Sequence, residues 1–203
     1  MKRQLELGLS TWGGARKNAG RKRKHSPGVA HRVRERVTRH TPVHVNFKVR
    51  ALIKSPGGQE ALLKSIQNAR KFARILHYSL QSNHIHLILE ATNNSDLTRA
   101  MRSFTNTFSK NMGRGSIQKE RYHLHVLRGK RETQNAISYV LRNETHHTGR
   151  KVIVADLRSS LHTLCPKFAS KCLGITVKAI KNPVSQELDP PSSWLARQAL
   201  KPS

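Results

Sequence analysis

The sequence predicts an α+β fold: a ferredoxin-like, split βαβ antiparallel sheet with helices on one face and an additional helix after the last strand. Three observations carry this. Short stretches alternate apolar and polar residues with the two-residue period of half-buried strands. Longer stretches place apolar residues at helical spacing. The two kinds succeed one another in the order βαββαβ and then α, the order of a split βαβ sheet.

The elements follow in sequence. In VHVNFKVRALI, Val43, Val45, Phe47, Val49 and Ala51 alternate with polar residues, a strand ended by Pro56-Gly57-Gly58. Residues 59–69 read as a helix with Leu62, Leu63 and Ile66 on one side, and residues 71–80 return as a strand. A short turn over 81–83 leads into HIHLILEA, the next strand. Asn93, Asn94 and Ser95 supply capping side chains for a second helix, whose Leu97, Met101, Phe104, Phe108 and Met112 form a continuous stripe, read as core. The glycines of GRGS at 113–116 break that helix, ERYHLHVLR gives a fourth strand, and residues 131–146 make a third helix with Ile137, Val140, Leu141 and Ala136 as its apolar stripe. Beyond Gly149, VIVADL suggests one more short element. The Pro-rich tail from Asn182 reads as loosely ordered, with Trp194 expected to pack a terminal helix onto the domain.

Composition speaks to partners. The chain of 203 residues has 38 Lys and Arg against 11 Asp and Glu, a formal charge of +27, which calls for a polyanion. The first fifty residues hold 14 basic residues and only Glu6 and Glu35 as acids. Arg16, Lys17, Arg21, Lys22, Arg23 and Lys24 lie among Gly and Asn, in a segment poor in large apolar residues. They are expected to form a basic, largely disordered arm over 1–41 that contacts phosphates by releasing counterions. A folded domain over 42–147 and a partly ordered extension over 148–203 complete the expected organisation. No stretch approaches the roughly 20 apolar residues of a membrane span, and no signal-peptide pattern opens the chain. Cys165 and Cys172 form neither a disulfide framework nor a zinc motif. The expectation is a soluble protein of the cytoplasm, associated with the nucleoid, with no membrane contact.

The stretch SNHIHLILE sharpens the chemistry. As a strand it turns His84 and His86 to one face and Ile85, Leu87 and Leu89 to the other. Two neutral imidazoles there form half of a metal site or simply a solvated polar face. With 12 histidines in the chain and a second such pair at His123 and His125, the pair alone decides nothing. In the third helix, however, Tyr139 lies nearly opposite the apolar stripe and shares its face with Asn143, four residues on.

A basic arm, a first strand, NHIHLILE, a long amphipathic helix, RYHLHVLR and then YVLRN: this order resembles the single-tyrosine HUH transposases, in particular the REP-associated tyrosine transposases. The likeness covers roughly residues 43–147. The resemblance implies His84 and His86 as metal ligands on either side of Ile85, Asn143 as a third, polar ligand and Tyr139 as the nucleophile. It implies a divalent cation, Mg²⁺ or Mn²⁺, with open coordination positions to polarise a phosphate. The implied reaction is cleavage and rejoining of single-stranded DNA near a hairpin, through a covalent 5′-phosphotyrosine and a free 3′-OH. The implied partner is hairpin-bearing single-stranded DNA, with adjacent duplex contacted through the arm, and the implied state a monomer. Because a phenol is a weak nucleophile at neutral pH, Arg142 is a candidate helper. Arg121, in the Arg121-Tyr122-His123 run that related sequences also carry, is a candidate DNA contact. Glu144 follows Asn143 where the family more usually has proline, which bears on how the helix ends. Glu90 shares the histidine face and is expected to be solvated, while His123 and His125 are expected to be structural or phosphate contacts.

Two other readings start from the same residues. The βαββαβ order is also that of an RNA-recognition motif, but HIHLILE and ERYHLHVLR offer Tyr122 without the aromatic set that stacks bases. A non-catalytic or domesticated nucleic-acid-binding protein, holding hairpin DNA or RNA, remains the alternative to an enzyme. The double-histidine phosphoesterases require Ser or Thr in each His pair, and neither pair has one.

Overall fold

The computed structural model describes residues 33–50, 56–113, 115–117, 121–148, 152–154, 159–160, 176–178 and 189–199. Backbone alone is described for residues 56, 143–148, 152–154 and 176–178. The arm residues Arg16, Lys17, Arg21, Lys22, Arg23 and Lys24, as well as Ala51, Cys165 and Cys172, lie outside the described residues.

Four strands, β1 (Val43–Lys48), β2 (Arg74–Leu80), β3 (His84–Glu90) and β4 (His123–Val126), form one antiparallel sheet in the order β2-β3-β1-β4. Helix α1 (Pro56–Ala69) connects β1 to β2, and α2 (Asn94–Met112) connects β3 to β4. This is the predicted split βαβ arrangement, with β1 and β3 central. Helix α1 starts three residues earlier than its apolar spacing suggests, because Pro56 suits a first helical position, where no amide donor is needed.

One sheet face carries Val43, Val45, Phe47, Ile85, Leu87 and Leu89, all buried, beneath α1 and α2. The α2 stripe behaves as core: Leu97, Met101, Phe104 and Phe108 are buried, and Phe104 stacks on Phe47 with centroids 5.3 Å apart. The Asn93 side chain caps α2 by accepting from the Asp96 amide at 2.9 Å. Packing begins before the first strand, inside the span expected to belong to the arm. Val37 is buried, its amide donates to Asn94 Oδ1 at 2.7 Å, and Asn94 Nδ2 donates to the Glu35 carbonyl at 2.9 Å.

Helix α3 (Lys130–Thr148) lies on the opposite face, against β2 and β3, with Ile137, Val140 and Leu141 buried. It runs on past Asn143, as Glu144 permits and a proline would not. Strands β2 and β3 are therefore buried on both faces, whereas alternate residues of β1 and β4 stay partly open.

The segment after α3 carries the expected short element and departs from expectation in two places. VIVADL yields β5 (Val152–Val154), paired in parallel with β6 (Thr176–Lys178). In the tail, residues 189–199 are tied down rather than loose. The Asp189 carboxylate accepts two bonds from the Arg70 guanidinium, at 2.8 and 3.0 Å, and one from the Ile75 amide at 3.0 Å, and Arg74 donates to the Pro190 carbonyl at 2.8 Å. The terminal helix α4 (Trp194–Ala199) packs on α3, but its buried residue is Ala196, while Trp194 is 59% exposed. The small side chain allows close approach of the helices; the indole does not. Among the described residues no helix is long and apolar enough to cross a membrane.

Candidate functional site

The antiparallel register fixes which polar groups meet. Lys48 lies opposite His84 and Asn46 opposite His86 on β3, while Asn46 and His44 lie opposite His123 and His125 on β4. Alternation turns all of these side chains to the α3 face. Directly opposed Cβ atoms stand about 5 Å apart, so the pleat gathers the imidazoles without any loop.

Helix α3 reaches this face through the short β4–α3 turn. The Leu127 amide bonds the Pro42 carbonyl at 2.9 Å, extending the β1–β4 ladder. Glu132, in the first turn of α3, then accepts from the Arg128 amide at 2.7 Å and from His125 Nε2 at 2.6 Å. The Arg128 amide bond leads in holding the Glu132 carboxyl below the usual range, against a smaller upward push from burial; His125 adds to the lowering. His125 is thus a structural clamp between sheet and helix, with Glu35 at 3.8 Å on its other nitrogen, and His123 is exposed.

Held in this way, α3 sets the Tyr139 ring 5.6 Å from His86 and 6.3 Å from His44, centroid to centroid and edge-on to both. The helical-wheel position of Tyr139, away from the apolar stripe, puts it at the border between the covered and open halves of the sheet, and the side chain is 43% exposed. One chain brings the tyrosine to His86, the second histidine of the pair, and to His44. Arg142 is half-buried three residues further along α3. Asn143 follows on the helix backbone, and its side chain is outside the described residues. Arg121 is exposed ahead of β4, at the sheet end where Lys48 and His84 also lie. Burial, then the charge of Arg121, lowers the pKa of Arg34, whose guanidinium sits 3.7 Å over the Tyr122 ring.

Two residues missed at the sequence level stand in the site. His44 Nε2 lies 3.1 Å from His86 Nδ1. Burial, helped by His125, pushes the His44 imidazole down to about 4, so it is neutral at physiological pH. Asn46 carries a buried Oδ1 with no hydrogen-bond partner, on the strand position facing His86. The signal was present in the polar half of the alternation in VHVNFK; only pairing with β3 gives it a meaning.

Whether a divalent cation suits these residues can be judged from their donors. Among the described residues no three His, Cys, Asp or Glu side chains gather as a metal-holding group. The donor set is instead imidazole and amide. His84 Nδ1 pairs with Asn83 Oδ1 at 2.9 Å, which leaves Nε2 as the lone-pair nitrogen, and the orphaned Asn46 oxygen adds a hard donor beside His86. Imidazole nitrogen and amide oxygen are donor types that such an ion accepts.

Glu90 does not belong to this set, nor is it solvated as expected. It is 3% exposed, and its carboxylate accepts from the Ser192 amide (2.8 Å), the Ser192 hydroxyl (2.6 Å) and the Ser193 amide (2.8 Å) at the start of α4. Burial pushes its pKa up, but these bonds outweigh that and hold it below the usual carboxylate range.

No protein-family model and no curated protein matches the chain in sequence. Among solved structures, a REP-associated tyrosine transposase bound to a REP hairpin is similar to it at a TM-score of 0.54 and 15% identity, over 65% of this chain and 83% of that one. At that identity the likeness is one of fold: the chain shares the α+β architecture of a tyrosine transposase, an antiparallel four-stranded sheet with helices packed on it.

Proposed function

We propose that the chain is a metal-dependent, single-strand DNA endonuclease and strand transferase, a transposase acting beside DNA hairpins with Tyr139 as its nucleophile. The carrying observation is the approach of the Tyr139 ring to His86 and His44 within one chain, at 5.6 and 6.3 Å. The fold shared with a transposase bound to a hairpin supports the choice of substrate.

In this reading His84 and His86 hold Mg²⁺ or Mn²⁺ with the amide of Asn143, and Asn46 lies alongside. The cation supplies charge stabilisation to the oxygens of the scissile phosphate. Tyr139 Oη attacks phosphorus in line. The Tyr139 O–P bond forms as the P–O3′ bond breaks, the phenol gives up its proton, and the departing 3′ oxygen takes one up. The 5′-phosphotyrosine conserves the bond energy, so a second 3′-OH can reverse the step and join strands without a nucleotide cofactor. Arg142, next to the tyrosine on α3, favours the phenolate. Arg121, with Arg16, Lys17, Arg21, Lys22, Arg23 and Lys24 of the arm, contacts the DNA backbone. The protein acts as a monomer at the nucleoid.

The test is a denaturing gel. Protein is incubated with a labelled pool of single-stranded hairpins and Mn²⁺, beside Tyr139→Phe, His84→Ala and a chelator control. A covalent protein–DNA band is expected that all three controls abolish. Hairpin binding with no adduct under any divalent cation would overturn the enzyme and leave a binding protein.

A further inference from the structure

His44 has no part in the chemistry just described, yet it touches the centre of it. Its Nε2 lies 3.1 Å from His86 Nδ1, with ring centroids 5.4 Å apart and the planes 25° from parallel. Those values distinguish two arrangements. If both nitrogens bound one cation at about 2.1 Å, the rings would point at it from two sides, and at this N···N separation their centroids would close to about 4.8 Å. If the rings meet end to end, each centroid adds about 1.2 Å to the N···N distance, which reproduces the observed separation and is a linear hydrogen bond.

We propose that His44 is a positioning residue for the cation site: its Nε2 accepts the Nδ1–H of His86 and commits His86 to bind metal through Nε2. The proposal rests on the site reading given above. Outer partners of this kind fix the tautomer and the ring orientation of a ligating histidine. The neighbouring ligand is handled in the same manner, since His84 Nδ1 pairs with Asn83 Oδ1 at 2.9 Å. Both imidazoles are thus prepared by a local acceptor, one from the turn before β3 and one from the adjacent strand. The reverse bond, with His44 donating, would leave the proton on His86 Nε2 and block that nitrogen. The tautomer is therefore the quantity to measure.

Full-length protein labelled with ¹⁵N-histidine would be examined metal-free by long-range ¹H–¹⁵N correlation, then titrated with Mn²⁺ and followed by electron paramagnetic resonance. His86 is expected as the Nδ1–H tautomer in the wild type and in His44→Gln, whose side-chain oxygen can still accept, and as a mixture in His44→Phe. Mn²⁺ binding should weaken about 10- to 100-fold in His44→Phe and largely recover in His44→Gln. The number of imidazole nitrogens coupled to Mn²⁺ should be the same in all three proteins. An Nε2–H tautomer in the wild type would overturn the proposal with no substitution needed. Unchanged Mn²⁺ affinity in His44→Phe would also overturn it, as would loss of one coupled nitrogen in His44→Gln, which would make His44 a ligand. His84→Ala separates the two levels. If it binds Mn²⁺ as tightly as the wild type, the site reading itself fails; if it loses binding while His44→Phe does not, only the positioning role fails.

Discussion

Acid should loosen this protein by way of one buried imidazole. His77, on β2, faces the same side of the sheet as His86 and is 3% exposed, with Nδ1 3.3 Å from Ser160 Oγ and Nε2 without a hydrogen-bond partner. Burial alone pushes it from its ordinary 6.5 down to about 4. The folded chain therefore rejects a proton that the unfolded chain accepts. Its contribution is fully present above pH 6.5 and is lost as the pH falls through the window down to 4. A shift of this size makes stability fall by about 2.5 kcal/mol between pH 7 and pH 4.5, from His77 alone. Urea unfolding of the wild type and of His77→Phe at both pH values isolates the effect, because every other group titrates in both proteins. Ser160 keeps its bond from the Tyr78 amide at 3.1 Å in the variant. The wild type should lose about 2.5 kcal/mol more than the variant on acidification. Equal losses would refute the burial argument.

Two further substitutions probe the frame around the site. Glu90→Ala strands the Ser192 and Ser193 amides at the start of α4 and should cost about 2 to 4 kcal/mol, read by urea unfolding, with earlier proteolysis of the tail as a second sign. Phe104→Ala removes a fully buried ring stacked between Phe47 and Phe108 and should cost about 3 to 5 kcal/mol in the same assay. A loss below 1 kcal/mol in either case would contradict the packing described.

The sheet was legible because half-buried strands write their period into the sequence, and the α2 stripe was legible for the same reason. What stayed hidden is non-local. Glu90 reads as one more polar residue on a solvated face, and nothing near it in the chain announces the two serines about a hundred positions later that enclose it. Trp194 draws attention by size, but helix contact at that point needs Ala196. His44 and Asn46 look like the wet side of a strand until antiparallel pairing sets them beside His86. By contrast, the shared face of His84 and His86 and the place of Tyr139 away from the apolar stripe could be read locally, from the spacing along a strand and around a helix, whereas the approach of Tyr139 to His86 is seen only in the fold. Asn143 is placed on the helix, and its role rests on the proposal.

Helix α3 stops halfway across its face of the sheet, over β2 and β3. Among the described residues the other half, β1 and β4, makes no comparable contact with α3, and alternate side chains there stay partly open, with Tyr139 at the border. In the proposed function one extended strand lies along this border, where a strip about two strand spacings wide, ~10 Å, matches one polymer rather than two wound around each other. On the proposed reading, preference for a single strand then requires no reading of bases. It follows from how far one helix reaches across a sheet, and lengthening or shifting that helix would change the kind of substrate before it changed the chemistry.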